Sequence, residues 1–317
     1  MNIYFIVQRT MFFTIPLLVV ALGGLFSEKS GVVNIALEGK MIMGAFTGIF
    51  FIRNFQDYLP GQLLLIIALA IALVTGIAVS LLHAFASINL KANQIISGVA
   101  INMFAPAFAI YVSKQLTGNQ FLRFDNQQFR IDSVPLLGRI PVLGELFFQY
   151  TYITTFLGFA VLIVTAFMLY KTKFGLRLRA CGEHPQAADS VGISVTKIRY
   201  AGVLISGGLA GIGGLIWIVP IATEFGGTVS GYGFLALAVL IFGGWRPVRV
   251  FFAAAFIGIM QTIAATHSVF PGLMNLPIPG HFYRMLPFIA TLIVLAFTSK
   301  NTMAPKAVGQ AYDKGGR

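Results

Sequence analysis

Long apolar runs, separated by short polar segments, dominate the hydrophobic pattern of the chain. A membrane-spanning helix needs about 20 mostly apolar residues. Counting stretches that hold few or no acidic and basic side chains gives nine candidate crossings: Thr10–Ser27, Gly31–Ile52, Tyr58–Leu90, Ala92–Ser113, Leu146–Tyr170, Tyr200–Thr223, Phe225–Trp245, a run from Val250 and a last run from about Phe282 to Ser299. The Val250 run should end as a helix near His267, because three prolines follow. We therefore predict an all-α polytopic transmembrane helical bundle of about nine crossings, within a range of about eight to ten.

The second run differs from the others because it contains Asn34, Glu38 and Lys40. Ionisable residues inside a membrane are energetically costly and tend to face the interior of a bundle or a water-filled cavity. We expect the first part of this run to be irregular, since non-helical backbone is tolerated there only where protein or water satisfies it.

Composition supports a membrane protein. Hydrophobic residues make up 57% of the 317 residues and charged residues only 10%, with a mean hydropathy of +0.84, whereas soluble domains are about 25% charged. The net charge of +12 does not indicate nucleic-acid binding, because the cations cluster between apolar runs. With residues 171–199 inside the cell, most of the 22 Lys and Arg residues lie inside, as the positive-inside rule requires.

That orientation predicts a multi-pass protein of the cytoplasmic membrane with a cytoplasmic C-terminus and an outside N-terminus. Residues 1–317 form one transmembrane domain, with an extracytoplasmic loop at 113–145, a cytoplasmic loop at 171–197 and a cytoplasmic tail at 300–317. The tail is polar and glycine-rich at its end, so we expect it to fray.

Several kinds of site are absent from the sequence. The phosphate-binding pattern G-x-x-x-x-G-K-[ST] does not occur. The four histidines have no metal-ligand spacing, and Cys181 is the only cysteine, so no disulfide can form within the chain. No nucleophile–base pattern is present either. We predict no catalytic residue, metal or cofactor in this chain.

The cytoplasmic loop contains a candidate helix. Pro185 suits a first helical turn, and Gly192 can end the helix. Ala187, Ala188 and Val191 form a small apolar patch beside charges, which suits docking into a groove on a partner protein. The alternative is an ordinary solvated loop whose cations only set the orientation of the protein.

Four stretches together resemble the permease family of ABC importers that move branched-chain amino acids, ribose-like sugars and nucleosides. They are Ser27–Ala45 (SEKSGVVNIALEGKMIMGA), Ala92–Ala105 (ANQIISGVAINMFA), Gly175–Ser194 (GLRLRACGEHPQAADSVGIS) and Ala236–Gly258 (ALAVLIFGGWRPVRVFFAAAFIG). The third stretch is similar to the cytoplasmic coupling segment of the family. The pairing of Glu28 with Glu38 in the first stretch most resembles the nucleoside-uptake permeases.

The resemblance implies partners that this chain lacks. They are two ABC ATPase subunits that hold ATP and Mg, a second homologous permease, as a heterodimer rather than a homodimer, and an extracytoplasmic solute-binding protein. It also implies a set of ATPase-coupling residues: Arg177, Arg179, Gly182, Glu183, Pro185, Ala187, Ala188, Asp189 and Gly192. For Arg177 and Arg179, anchoring at lipid phosphates is an equal alternative.

For the substrate pathway we nominate Asn34 and Asn102, with Glu38 nearby, because amides can hydrogen-bond sugar hydroxyls or base edges. The alternative is that both amides hold helices together. Phe225 and Tyr232 could stack on a nucleobase, although most of the 30 Phe must face lipid or the core.

Two questions about function stay open at this point. Nucleosides are the first candidate solute, followed by ribose-type sugars and then branched-chain amino acids. A stand-alone secondary carrier is the alternative of another class. Such a carrier would need intramembrane charges for ion coupling, and only Glu38, Lys40 and Glu224, near the predicted outer mouth, are available. Dependence of transport on a partner ATPase separates the two classes.

Overall fold

The computed structural model describes residues 3–267, 279–298 and 304–313, which are predominantly helical. Eleven helices are described in these ranges: α1 Ile3–Lys29, α2 Leu37–Phe55, α3 Gly61–Ala84, α4 Gln94–Thr117, α5 Ile153–Lys171, α6 Lys173–Glu183, α7 Pro185–Ser190, α8 Val195–Ile221, α9 Tyr232–Phe242, α10 Pro247–Thr266 and α11 Gly280–Thr298. A π-helical turn, Phe85–Asn89, extends α3. The predicted helix end near His267 is confirmed, whereas Pro271 and Pro277 lie outside the described residues.

Each of the nine predicted runs contains one helix. Six helices, α1, α3, α4, α5, α8 and α10, are long and apolar enough to cross a membrane. Of the other three, α2 carries charged residues, α9 has only 11 residues and the apolar part of α11 is short. The predicted class, a helical membrane bundle, is confirmed, and the number of crossings stays a prediction.

Two helices form the centre of the bundle. In both α1 and α8, 83% of the apolar stretch is buried, compared with 17% in α4. Small residues allow α8 to pack closely against α2 and α3. A methyl group at Gly211 would collide with the carbonyl oxygen of Ala72 on α3, and one at Gly214 would collide with that of Met41 on α2. Close backbone approach of this kind drives helix packing in a membrane, where the surrounding lipid is as apolar as the helices.

The predicted extracytoplasmic loop is ordered by short strands. Strand β1, Leu122–Arg123, pairs with β4, Glu224–Phe225, and β2, Arg130–Ser133, pairs with β3, Gln149–Tyr152. The predicted run Leu146–Tyr170 holds one spanning helix, which begins at Ile153, because its first residues form the end of a π-helical turn and strand β3.

The predicted cytoplasmic loop is a pair of helices. Thr172 caps α6 by accepting a hydrogen bond from the Gly175 N–H at 3.1 Å, and Pro185 occupies the first turn of α7 as predicted. Gly192 follows α7 with a φ of +83°, the left-handed conformation that ends a helix.

Candidate translocation and coupling sites

The segment between α1 and α2, residues 30–36, is irregular, as predicted from its polar residues. Side chains from α3 and α4 satisfy its backbone. The Val33 N–H donates to Gln94 Oε1 at 2.7 Å, and the Val33 carbonyl oxygen lies 2.9 Å from His83 Nε2. Asn102 donates to the Ile35 carbonyl oxygen at 2.9 Å and accepts from the Gly39 N–H at 2.8 Å. Protein therefore takes the place of water around this non-helical backbone.

Lys40 and Asn34 form a buried polar cluster with Ser206 of α8. Lys40 Nζ donates to Asn34 Oδ1 at 2.7 Å, and Asn34 Nδ2 donates to the Ser206 hydroxyl at 2.7 Å. Both Lys40 and Asn34 are fully buried. The Asn34 amide thus joins the irregular segment to the central helix α8, and its donor and acceptor are both engaged within the chain.

Glu38 joins the start of α2 to the start of α9. Its carboxylate accepts hydrogen bonds from the Gly231 N–H at 2.9 Å and the Gly233 N–H at 2.7 Å, and its side chain is buried. The first N–H groups of a helix have no partner within the helix and carry a partial positive charge, which a carboxylate neutralises. Glu38 therefore fixes the position of the N-terminus of α9.

Helix α9 is too short to cross a membrane alone. Its 11 residues extend about 16 Å at 1.5 Å per residue, roughly half of a hydrocarbon core of about 30 Å. Positive φ angles at Gly227 (+76°) and Gly231 (+79°) carry the chain into it. Discontinuous helices whose N-termini lie within the membrane are typical of substrate sites in transporters.

The two aromatic residues predicted for the substrate pathway are Tyr232, the first residue of α9, and Phe225, in the strand before it. Helix α9 is called the half-helix below because of its length. Tyr232 stacks on Trp217 of α8 with ring centroids 3.4 Å apart, and its buried hydroxyl has no hydrogen-bond partner among the described residues. Phe225 is buried in the short sheet, paired with Leu122. Glu224 forms an exposed ion pair with Arg123 at 3.4 Å. The structure thus brings Glu38 and Tyr232 together at the start of α9, while Phe225 lies in the sheet formed by β1 and β4.

Helix α7 has one buried and one exposed face. Ala188 packs with Cys181 and Val195 in a small apolar cluster, where burial also raises the pKa of the Cys181 thiol. The opposite face exposes Ala187 together with Val191, which follows the helix and is 74% exposed.

The predicted coupling residues divide by environment. Arg177, Ala187 and Gly192 are exposed, Arg179, Glu183 and Asp189 are half-buried, and Gly182, Pro185 and Ala188 are buried within the chain. Val191, which belongs to the apolar patch predicted beside these residues, is also exposed.

Residues 304–313, here called the C-terminal strap, lie across the end of the bundle that holds α6. The prediction that the tail frays from Asn301 is therefore wrong for these residues. The Ala307 N–H donates to the Gly182 carbonyl oxygen at 2.9 Å, and the Gly309 N–H donates to that of Gly31 at 3.1 Å. Arg199, which is 1% exposed, donates to the Gln310 carbonyl oxygen at 2.9 Å. The strap therefore connects α6 with the irregular segment.

Removing the strap should lower the stability of the protein. The three hydrogen bonds contribute about 0.5–1.5 kcal/mol each, so a chain that stops before Ala304 should lose roughly 1.5–4.5 kcal/mol and melt several degrees lower in detergent. A chain that stops before Lys314 is the matched control, because it keeps the strap. Equal melting temperatures for both truncations would contradict this role.

Comparison with known proteins agrees with this architecture. Residues 6–295 match the family described as branched-chain amino acid transport system / permease component. The chain is 44% identical to the guanosine ABC transporter permease protein NupQ of Bacillus subtilis (strain 168), covering 98% of this chain and 97% of that protein.

Two proteins of Lactococcus lactis subsp. cremoris (strain MG1363) are also similar. The nucleoside ABC transporter permease protein NupC is 38% identical over 98% of this chain and 96% of NupC. The nucleoside ABC transporter permease protein NupB is 24% identical over 92% of this chain and 79% of NupB. Because the family match and two of these relatives extend over nearly the whole chain, the protein belongs to the branched-chain amino acid transport system permease component family.

Proposed function

We propose that this chain imports nucleosides, with guanosine as the first candidate, as the membrane-spanning permease subunit of an ABC importer. The observation that carries the proposal is the 44% identity to a guanosine permease over 98% of this chain. Ribose-type sugars and branched-chain amino acids become the less favoured solutes, because both full-length relatives described above are named for nucleosides or guanosine.

The partners follow from the ABC class. ATPase subunits supply the free energy, an extracytoplasmic binding protein delivers the solute, and a second permease completes the pathway. We favour a heterodimer, since the chain is 38% identical to one Lactococcus nucleoside permease and 24% identical to another. The chain therefore resembles one of two distinct permeases rather than both equally.

The start of α9 is the best-supported place for the solute pathway. A half-helix N-terminus and the buried Glu38 carboxylate meet there, and Tyr232, the first residue of α9, has a buried hydroxyl without a hydrogen-bond partner among the described residues. In this proposal Tyr232 supports the start of α9 through its stacking on Trp217, and Phe225 is buried in the sheet formed by β1 and β4. Asn34 and Asn102 act on it indirectly, because their hydrogen bonds hold the irregular segment that precedes Glu38.

A chain of contacts offers a route from the cytoplasmic helices to α9. Helix α7 packs through Ala188 on Cys181 of α6, and the neighbouring Gly182 is bonded to the strap. The strap in turn is bonded to Gly31, at the start of the segment that leads to Glu38. In the orientation proposed for the chain, with its C-terminus cytoplasmic, ATPase closure displaces α7 and biases the position of α9. The ATPase must bind the two states with different free energies for this to occur.

Uptake by cells tests the proposal. We expect a strain that lacks its own nucleoside importers to accumulate radiolabelled guanosine when it expresses this chain with its partner subunits. Replacing the phosphate-binding lysine of the partner ATPase should abolish accumulation. Excess unlabelled nucleoside should compete, whereas ribose and leucine should not. Uptake that persists without a working ATPase would identify a secondary carrier instead.

A further inference from the structure

A polar cavity lies at the end of the bundle where α1 and α5 finish. Its volume is about 500 Å³, and its chemically relevant lining residues are Lys29, Arg179, Arg246, Lys306, Tyr170 and Glu183. The cations come from four separate parts of the chain: the end of α1, helix α6, the turn before α10 and the strap. Folding therefore assembles a concentration of positive charge that the sequence does not show.

Two carboxylates, those of Glu183 and Glu28, interact with Lys29 and compensate these four cations only in part. None of the four forms an ion pair within 4.0 Å of a carboxylate among the residues that the structure describes. Glu183 is the one acidic residue of the lining, and neighbouring Glu28 accepts a hydrogen bond from the Trp245 indole. Arg179 lies over the Tyr170 ring, with its guanidinium carbon 5.4 Å from the ring centroid, so its charged group is held at the cavity.

The position of the cavity favours a ligand from the membrane. Lys29 ends the apolar span of α1, and Tyr170 is the next-to-last residue of the span of α5. The outward surface of α5 is apolar, with Phe167 60% exposed and Tyr170 47% exposed. The cavity therefore lies at the depth of the lipid headgroups, beside a surface that suits acyl chains. Basic pockets between transmembrane helices on the cytoplasmic side bind anionic headgroups.

We propose that this cavity binds the phosphate group of an anionic phospholipid from the cytoplasmic leaflet. Arg179, Arg246 and Lys306 surround the phosphate, and Tyr170 packs against the lipid. Lys306 belongs to the strap and Arg179 to α6, so the bound headgroup also joins the strap to α6. The proposal does not depend on which solute the protein carries.

The test uses the intact importer, purified through this chain and placed in phosphatidylcholine nanodiscs with increasing fractions of phosphatidylglycerol. Unfolding of this chain is followed as the phosphatidylglycerol fraction rises. The wild-type protein should be stabilised in a saturable manner. The double variant Arg246→Gln/Lys306→Gln should bind phosphatidylglycerol about 30-fold more weakly, because each cation near an anionic headgroup contributes roughly a fivefold factor.

Lys171→Gln/Lys173→Gln is the matched control. Both lysines are exposed on the same rim but do not line the cavity, so this variant should respond like the wild type. Equal melting temperatures of all three proteins in pure phosphatidylcholine establish that the variants are folded. An unchanged phosphatidylglycerol response in the cavity variant would overturn the proposal.

Two further results would also overturn the lipid assignment. In phosphatidylcholine nanodiscs, inorganic phosphate should have little effect. Equal stabilisation by inorganic phosphate would identify a soluble anion as the ligand. Loss of the ATPase subunits from the cavity variant, with an unchanged lipid response, would instead show that the cations bind acidic side chains of that partner.

Discussion

Replacing Glu38 with alanine is expected to abolish uptake and to destabilise the protein strongly. The carboxylate accepts hydrogen bonds from the Gly231 and Gly233 N–H groups within a buried site. Each buried donor left without a partner costs about 1–3 kcal/mol, so the variant should lose roughly 2–6 kcal/mol. Because the bonded groups form the start of α9, the half-helix should also lose its fixed position. Radiolabelled solute uptake per molecule of membrane-inserted protein and the melting temperature in detergent measure the two effects.

Glu38→Gln should have an intermediate effect. The amide keeps one oxygen that can accept from a backbone N–H, but its NH₂ group cannot, and the negative charge at the helix N-terminus is lost. Glu145→Gln is the control, because Glu145 is exposed in the segment proposed to lie outside the cell, and its change should leave uptake near the wild-type level. Normal uptake per molecule in Glu38→Ala would show that α9 does not need this anchor.

The apolar runs predicted the helices well because hydropathy along a membrane-spanning segment is local information. Hydropathy did not predict the length of a helix where the backbone geometry ends that helix inside an apolar run. The run Phe225–Trp245 reads as a full crossing, yet only Tyr232–Phe242 is helical, since glycines with positive φ precede the helix and Gly244 (φ +56°) follows it. Hydropathy also did not predict helix α6, because the charged residues of this helix resemble those of a solvated loop.

The polar contacts of the site were predictable only in part. The irregular start of the second run followed from Asn34, Glu38 and Lys40, since such residues need internal partners. Their partners did not follow, because Gly233 is 195 positions from Glu38 and Ser206 is 172 positions from Asn34. The strap was also invisible, since two of its contacts join backbone groups and backbone groups leave no signature in a sequence.

The exposed face of α7 should be the point at which the ATPase engages, and Val191→Glu is expected to uncouple the importer. Val191 is 74% exposed, so it contributes little to the fold, and the melting temperature of the variant should match the wild type. At an interface, a buried valine contributes about 1.5–3 kcal/mol, and a buried, unpaired carboxylate adds a penalty of several kcal/mol. ATPase binding should therefore weaken by roughly 100-fold or more.

Copurification of the ATPase subunits and ATP-driven solute uptake should both be lost in Val191→Glu, while insertion in the membrane continues. Leu136→Glu is the matched control, because Leu136 is 82% exposed in the segment proposed to lie outside the cell. The same apolar-to-acidic change there should leave ATPase binding intact. If the Val191→Glu variant retains both the bound ATPase subunits and full uptake, the ATPase must engage another part of the chain. The contacts from α7 through the strap to Glu38 would then serve stability alone, because no differential binding free energy would enter at α7 to shift the position of α9.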